Sequence, residues 1–412
     1  MQRTEVFHRE ELAKRMADQL MSEDGASGLF ITGPRRTGKS TFIREDLIPV
    51  LSDTYGSQVV YVDLWEDRAA NPGDVIVAAI RAELLKFTGF ILKAAKGVGL
   101  DKIKVGGLEM TLDHIGIGKG ETLTKALTML SEASKKPVTL IIDEAQQTQS
   151  TEEGRQALYA LKAARDAMNA STGRGFRLLA TGSSSDKLAS LVEDKDQAFY
   201  QAPLMPLPTL DIDYVQWFRD RQRFDPKPSL DAMFHAFVDC NHRPEPLRAV
   251  FRDLNLKTGV GVAEMDQLFS EMVAASLKRA KENFFQQVNG LNPLDAAVLK
   301  VMARDEKGFV PYSKASVMDY KAFVLAATGD VLSEVSQSSV QQALERLRAE
   351  KFVWRAGRGA YLIEDTQHST WIREVVGQEN EDFESARKQI NAQTAASLVS
   401  KTTPESSKNG PR

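Results

Sequence analysis

A single cysteine, Cys240, means that no intrachain disulfide can form, so the fold must stand on its packed core, as suits a reducing compartment. No stretch approaches the ~18 uninterrupted apolar residues of a membrane span. The N-terminal MQRTEVFHREEL also lacks the apolar centre of a secretory signal, so a cytoplasmic protein is expected. Charge of one sign is missing too. With 53 Lys and Arg against 56 Asp and Glu, net charge is −3, and any grip on nucleic acid must come from a local patch. The five histidines, His8, His114, His235, His242 and His368, show no metal-ligand spacing with one another or with Cys240. Trp65, Trp217, Trp354 and Trp371 are scattered, and core packing is expected of each.

What is present is an alternation of strand and helix signals over 412 residues. GLFITG (28–33) is a short apolar run followed by a glycine-rich loop and a helix with Pro49 near its end, and QVVYVDLW (58–65) is β-branched. NPGDVIVAAIRAELLKF (71–87) is helical, while VTLIIDEA (138–145) and FRLLATG (176–182) are further apolar strands that end in polar residues. Near-continuous apolar strands between helices imply a parallel sheet buried on both faces. IKVGGLEMTLDHIGIG (103–118) reads as an inserted β-hairpin before a helix at 121–134.

After PLMPLPTL (203–210) the strand signals stop and helices fill roughly 211–290. Residues 292–374 give helices, then two short strands joined through Gly357 and Gly359, the order of a winged helix-turn-helix with 338–350 in the recognition position. The domains expected are thus a core at 1–208, a helical lid at 209–290, a winged helix at 291–374 and an extension at 375–412. From about 392 few bulky apolar residues remain to offset ordering entropy, so a disordered tail is expected there.

GPRRTGKST (33–41) fits G-x-x-x-x-G-K-[ST] between a strand and a helix, which implies bound ATP with Mg2+. Gly33 and Gly38 let the backbone N–H groups of Pro34–Thr41, apart from proline's own, approach phosphate oxygens, with Arg35, Arg36 and Thr37 in the variable middle. Lys39 would meet the β and γ phosphates and Ser40 the magnesium. Asp143, at a strand tip, would hold the same ion, and Glu144 beside it is the candidate general base for hydrolysis. Thr181, Ser183 and Ser184 could bond the γ phosphate or its water. A loop capping the next helix is the alternative use of those serines.

These motifs resemble the AAA+ ATPases and, within them, are similar to the archaeal-type ATPase family that borders the STAND switches and the origin-recognition-type initiators. FHRE (7–10), GPRRTGKST, VTLIIDEAQQ, LLATGSSS, PLMPLP, NHRPEPL (241–247) and YLIEDTQHSTWIRE carry the likeness. The fold implied is α/β: a P-loop AAA+ core with a parallel sheet, a helical lid and a C-terminal winged helix. The resemblance makes Thr181 the leading first sensor, Arg243 a candidate second sensor and Pro244 the proline of the lid element, with His242 where the family has glycine. His8 likewise replaces a glycine, and Arg9 is expected to anchor structure.

Arg35 and Arg36 are expected to face outward, toward acids of the lid or of another protomer. A trans-acting arginine finger is sought among Arg174, Arg177 and Arg219. On the winged helix, Gln341, Gln342, Arg346 and Arg348 could reach duplex DNA from the helix, with Arg355 and Arg358 on the wing. Residues 291–374 nonetheless hold eleven basic and eleven acidic residues, so packing or partner binding is the competing use. The leading functional expectation is a nucleotide-dependent switch. The alternatives are an oligomeric motor, acting as a homo-oligomer on a protein partner, and a regulatory binding module.

Overall fold

The computed structural model describes residues 5–402 except 68, 96–101, 106–107, 112–114, 116–121, 171–174, 184, 257–260, 306–307, 331–334 and 358–359. Arg174, Ser184, Arg358 and His114 therefore lie outside the described residues, as does the Gly-Gly centre of the hairpin. The chain divides into two compact units, Met1–Leu277 and Lys278–Arg412. Among the described residues no helix is long and apolar enough to cross a membrane.

In the first unit, helix α1 (Glu10–Met21) precedes strand β1 (Leu29–Thr32), and helix α2 starts at Lys39. Strand β2 (Gln58–Asp63) and helix α3 (Pro72–Ala95) follow, then the antiparallel hairpin β3 (Lys102–Val105) and β4 (Leu108–Thr111). Helix α4 (Leu123–Ser134), β5 (Val138–Asp143), α5 (Glu152–Ala170), β6 (Phe176–Gly182), α6 (Ser185–Glu193) and β7 (Leu204–Pro206) complete the layer. The sheet order is β2-β5-β6-β1-β7, all parallel. Strand β6 thus stands between the strand that feeds the loop and the strand that carries Asp143.

Strand alternation sorts side chains between the two faces. Phe30, Val60, Leu140, Ile142, Leu178 and Ala180 pack with α3 to α6, while Leu29, Ile31, Ile141 and Leu179 pack with α1 and α2 on the opposite side. All six residues of β5 are buried, which accounts for its unbroken apolar run. Helix α2 does not stop near Pro49: π-helical turns at Ile43–Leu47 and Val50–Thr54 carry it onward. Proline lacks a donor and crowds the preceding turn, and wider turns on either side accommodate both defects.

Helices α7 (Ile212–Asp220), α8 (Leu230–Asp239) and α9 (Pro244–Leu254) form the lid, with α10 (Val262–Asn289) running on to the unit boundary and beyond it. Asp211 and Ser229 cap α7 and α8. The lid core is aromatic: Tyr214, Phe218, Phe237, Phe251 and Phe269 are buried together. Phe7 from the N-terminal segment packs edge-on at 5.6 Å against both Tyr214 and Trp217.

The second unit holds α11 (Pro293–Arg304), α12 (Lys314–Thr328), α13 (Gln337–Ala349), the antiparallel pair β8 (Val353–Gly357) and β9 (Ala360–Ile363), then α14 (Thr366–Gln378) and α15 (Asn380–Thr402). Asn292, Ser313, Ser336 and Asp365 cap α11, α12, α13 and α14 through side-chain oxygens. This is the winged-helix order, with α12 and α13 as the helix-turn-helix pair and α13 as the second of the two. Helix α15 continues through 392–402, where composition alone suggested a structureless tail. Its first half buries Phe383, Ala386 and Ile390, and Arg387 pairs with Asp319 on α12 at 3.0 Å. Once anchored, the helix propagates onward, since adding a residue to a formed helix costs far less than nucleating one, and Ala392, Gln393, Ala395, Ala396, Leu398 and Lys401 favour it.

Asp295, at the start of α11, is the buried acid that ties α11 to α13. Arg346 meets it bidentately at 2.7 Å through both Nε and Nη2. Replacing Arg346 by Met keeps its stem but strands that carboxylate. Because the guanidinium is about half exposed, the cost should fall below that of a fully buried pair, at about 1–3 kcal/mol. The slowest amides of α11 and α13 should then exchange hydrogen roughly 5- to 100-fold faster. Unchanged protection would show that the pair contributes nothing.

Candidate nucleotide site

The loop leaves β1 at Thr32, and its last glycine, Gly38, is left-handed with φ 85°, which sets up the helical turn that begins at Lys39. A side chain at Gly33 would press on the Lys39 stem, whose Cδ lies 3.3 Å from the Cβ position. Lys39 is buried, and its Nζ donates to Gly33 O at 2.7 Å and Pro34 O at 3.3 Å. Burial lowers its pKa and nearby Arg35 adds to this, against the opposing charges of Glu144 and Asp143. Thr37 Oγ1 donates to Pro34 O at 2.7 Å and stiffens the turn. Thr41 lies on the exposed side of α2.

At the facing strand tips, Asp143 is 1% exposed and is bonded from several directions. Ser40 Oγ donates to its Oδ2 at 2.6 Å, Tyr61 Oη donates to the same oxygen at 2.9 Å, and Thr181 Oγ1 donates to Oδ1. Burial, then the adjacent Asp143 charge, keeps the Tyr61 phenol protonated far above its ordinary range. Thr181, the expected sensor, thus grips Asp143.

Glu144 is held by a different set. The chain turns left-handed here, with φ 58°, a strained conformation for a residue with a side chain. Its Oε2 accepts from Gln146 Nε2 at 2.5 Å, from Ser183 Oγ at 2.8 Å and from Ser183 N at 3.3 Å. Among the hydroxyl residues, Ser183 rather than Thr181 touches the candidate base.

The two loop arginines part company. Arg36 Nη1 meets Glu245 of the lid at 2.5 Å, as expected of an outward residue. Arg35 corrects the expectation: it turns inward, with its guanidinium carbon 4.1 Å from the Trp65 ring centroid and its Nε donating to Ser183 Oγ at 3.3 Å. The reason is local. Arg36 takes the left-handed backbone, φ 64°, and this turn sends the two side chains different ways.

Of the finger candidates, Arg177 donates to Met21 O and Ser22 O and Arg219 to Pro228 O, so both are engaged with backbone of their own chain. His8 Nδ1 lies 2.6 Å from Asp46 Oδ1, and Arg9 spans from Asp46 through its N–H to Pro208 O at 2.9 Å, the anchor expected of it. His242 is also left-handed, φ 54°, which explains why glycine suits that position; its ring meets Leu210 O at 2.9 Å. Arg243 is buried at the N-terminal end of α9, with Pro244 at the helix start. In the second unit Gln342 and Arg348 lie on the exposed side of α13, and Arg355 stands on β8. Gln341 is committed internally to Tyr312, Glu345 and Tyr361, as Arg346 is to Asp295.

Sequence reading missed Tyr61 and Gln146. Tyr61 sits in a β-branched strand and gains meaning only when β2 pairs with β5 in the register Asp63 to Asp143. Among the described residues no group of three or more His, Cys, Asp or Glu could hold a metal, so the donors here are one carboxylate and one hydroxyl. Both are hard oxygens and suit Mg2+ completed by phosphate and water.

No family model matches the chain, and no curated protein matches it. Among solved structures it is similar to the Aeropyrum pernix ORC2 protein in its ADP form, with TM-score 0.49 and 13% identity over 94% of this chain and 97% of that one. It is also similar to the A. pernix ORC1 protein in complex with DNA, with TM-score 0.45 and 16% identity over 90% and 93%. AMPPCP-bound DnaA from Aquifex aeolicus gives TM-score 0.35 and 10% identity over 92% and 96%.

Gly182 tests how tightly this site is built. A Cβ there would come 2.5 Å from Gln146 Oε1 and 3.2 Å from Leu188. Gly182→Ala should push Gln146 off Glu144 and cost about 1–3 kcal/mol by overpacking. The urea midpoint measures it, and wild-type stability would show that the pocket yields freely.

Proposed function

We propose that this chain binds ATP with Mg2+ and hydrolyses it, working as a nucleotide-dependent switch that engages duplex DNA through its winged helix. The observation that supports this most is the convergence of Lys39, Ser40, Asp143, Glu144, Thr181 and Ser183 at one end of three adjacent strands. A phosphate chain entering there would meet the loop N–H groups from Gly33 to Thr41 and draw Lys39 from the carbonyls it now holds. Ser40 and Asp143 would hold Mg2+, which when bound supplies positive charge against the β and γ phosphates.

Thr181 and Tyr61 fix the rotamer of Asp143, so that this ligand is oriented before nucleotide arrives. Glu144 takes the proton of the attacking water; the water oxygen bonds to the γ phosphorus, and the bridging oxygen leaves with its electron pair on ADP. Ser183 and Gln146 must loosen for Glu144 to turn to that water. Hydrolysis is therefore slow until a partner or the lid changes their placement. Arg243 and Pro244, in the lid, are candidates to sense the γ phosphate.

An oligomeric motor acting on a protein partner would need an arginine delivered by another copy. Arg177 and Arg219 are held by their own chain, which supports the switch over the motor. For DNA, Gln342 and Arg348 are the exposed candidates on α13, while Arg346 is reassigned to holding Asp295.

Lys39→Ala should weaken nucleotide binding at least roughly tenfold. Glu144→Gln should leave binding intact and lower turnover by about 10²–10³, the usual worth of a positioned general base. Titration with labelled nucleotide and steady-state phosphate release measure both. Turnover indifferent to Glu144→Gln would remove it as the base.

Duplex DNA should stimulate turnover, and the pair Gln342→Ala with Arg348→Ala should weaken DNA binding uniformly across sequences and flatten its salt dependence by about one unit. Fluorescence anisotropy across a salt series reads this. Binding absent at low salt would move the search to a protein partner.

A further inference from the structure

Glu144 and Gln146 stand two residues apart, a spacing that in a regular helix sends side chains to different faces. The left-handed backbone at Glu144 breaks that rule, and the 3-10 turn Ala145–Ser150 that follows brings the Gln146 amide back onto the carboxylate. An ionised carboxylate only accepts, so the amide presents its N–H to Glu144 Oε2, at 2.5 Å, and its carbonyl Oε1 faces elsewhere. That oxygen is buried and has no hydrogen-bond partner among the described residues. It is packed against Gly182, where a Cβ would come 2.5 Å from it. A buried acceptor left unbonded costs stability and calls for an explanation.

The carboxylate is one-sided as well. Its three hydrogen bonds, from Gln146 Nε2, Ser183 Oγ and Ser183 N, all end on Oε2, and none of them reaches Oε1. Glu144 Oε1 and Gln146 Oε1 are thus two acceptors on directly linked side chains, and acceptors cannot bond each other. Water, with two O–H donors, satisfies both.

We propose that Gln146 positions the attacking water for hydrolysis, its Oε1 accepting one hydrogen of that water while Glu144 takes the other. This rests on the ATPase reading above. At rest the amide restrains Glu144. Once the pair loosens around Ser183, the carbonyl gives up no hydrogen bond in leaving Gly182 and gains one from water.

In the reaction the first water proton passes to Glu144 and the water oxygen bonds to the γ phosphorus. The second hydrogen stays on that oxygen, bonded to Gln146, and the old bond breaks with its electron pair going to ADP. Gln146 exchanges no proton. By fixing the second hydrogen it fixes the direction of the attacking lone pair, which must lie in line with the leaving oxygen. A glutamine that only restrained Glu144 would leave the opposite signature: its removal would free the base and raise turnover.

The test uses the full chain and Gln146→Met, which keeps nearly the same length and volume without either polar group. Labelled ADP binding with a Lys39→Ala control, and turnover with a Glu144→Gln control, come first. Absence of ADP binding, or turnover that Glu144→Gln leaves unchanged, overturns the ATPase reading and the role of Gln146 with it. With both controls as expected, Gln146→Met should lower kcat by about 10- to 100-fold and leave ADP affinity within a few fold.

A second readout does not depend on turnover. Tetrafluoroaluminate bound beside ADP mimics the transferring phosphoryl group and carries the attacking water as an axial ligand. Gln146→Met should therefore weaken the ADP–fluoroaluminate complex by a factor similar to its loss of kcat, while ADP by itself binds as before. Gln146→Asn keeps the amide but draws it back by one methylene; it should show the same split more weakly, and it replaces Gln146→Met if urea unfolding shows that variant to be unfolded. Turnover equal to or above wild type in the folded variant would overturn the proposal and leave Gln146 a restraint. Equal losses of ADP and ADP–fluoroaluminate affinity would also overturn it, since they mark a purely structural role.

Discussion

A carboxylate removed from water must be bonded nearly everywhere it points, and Asp143 imposes that condition on the whole core. Its partners come from three places: Ser40 from the first turn of α2, Thr181 from β6 and Tyr61 from β2. They can meet only if β5 lies between β2 and β6 and if β1 delivers its loop next to β6, which is the sheet order observed. The loop and the strand tip are thus one construction. A change in strand order would leave a buried charge with too few donors.

The same economy is what favours the proposed reading of the site as a switch. Lys39 and Glu144 are each engaged with groups of the chain itself: loop carbonyls, and the Ser183 and Gln146 pair. Each would have to exchange partners for phosphate chemistry to proceed. The charge of a nucleotide can drive the first exchange, because it releases a cation to an anion. The release of Glu144 is different, since a carboxylate gains nothing from approaching phosphate. That step calls for a structural change around Ser183.

Within the first unit, the N-terminal segment ties α2 to the lid. His8 and Arg9 hold Asp46, Arg9 reaches Pro208 and Phe7 enters the aromatic lid core. Arg36 adds an exposed pair to Glu245, worth little in stability yet well placed to follow lid position. In the second unit, the pair between Arg346 and Asp295 shows how a basic residue on a candidate recognition helix can be recruited for the fold instead.

Local sequence settled a good deal: the glycine-framed loop, the unbroken apolar run of β5, a hairpin expected at 103–118 whose strands are Lys102–Val105 and Leu108–Thr111, and the order of helices and strands around α13. These features follow from backbone freedom, side-chain periodicity and capping, which act within a few residues of each other. Tertiary structure decided what local pattern cannot: that Thr181 serves Asp143 while Ser183 serves Glu144, that Tyr61 belongs to the site, and that Arg35 faces in while Arg36 faces out. It also carried α15 through 392–402, because anchoring on α12 supplies burial that composition does not reveal. The physical reason is common to all of these. A side chain's partner depends on which strands become neighbours and where a loop turns, and those choices are made by distant parts of the chain packing together.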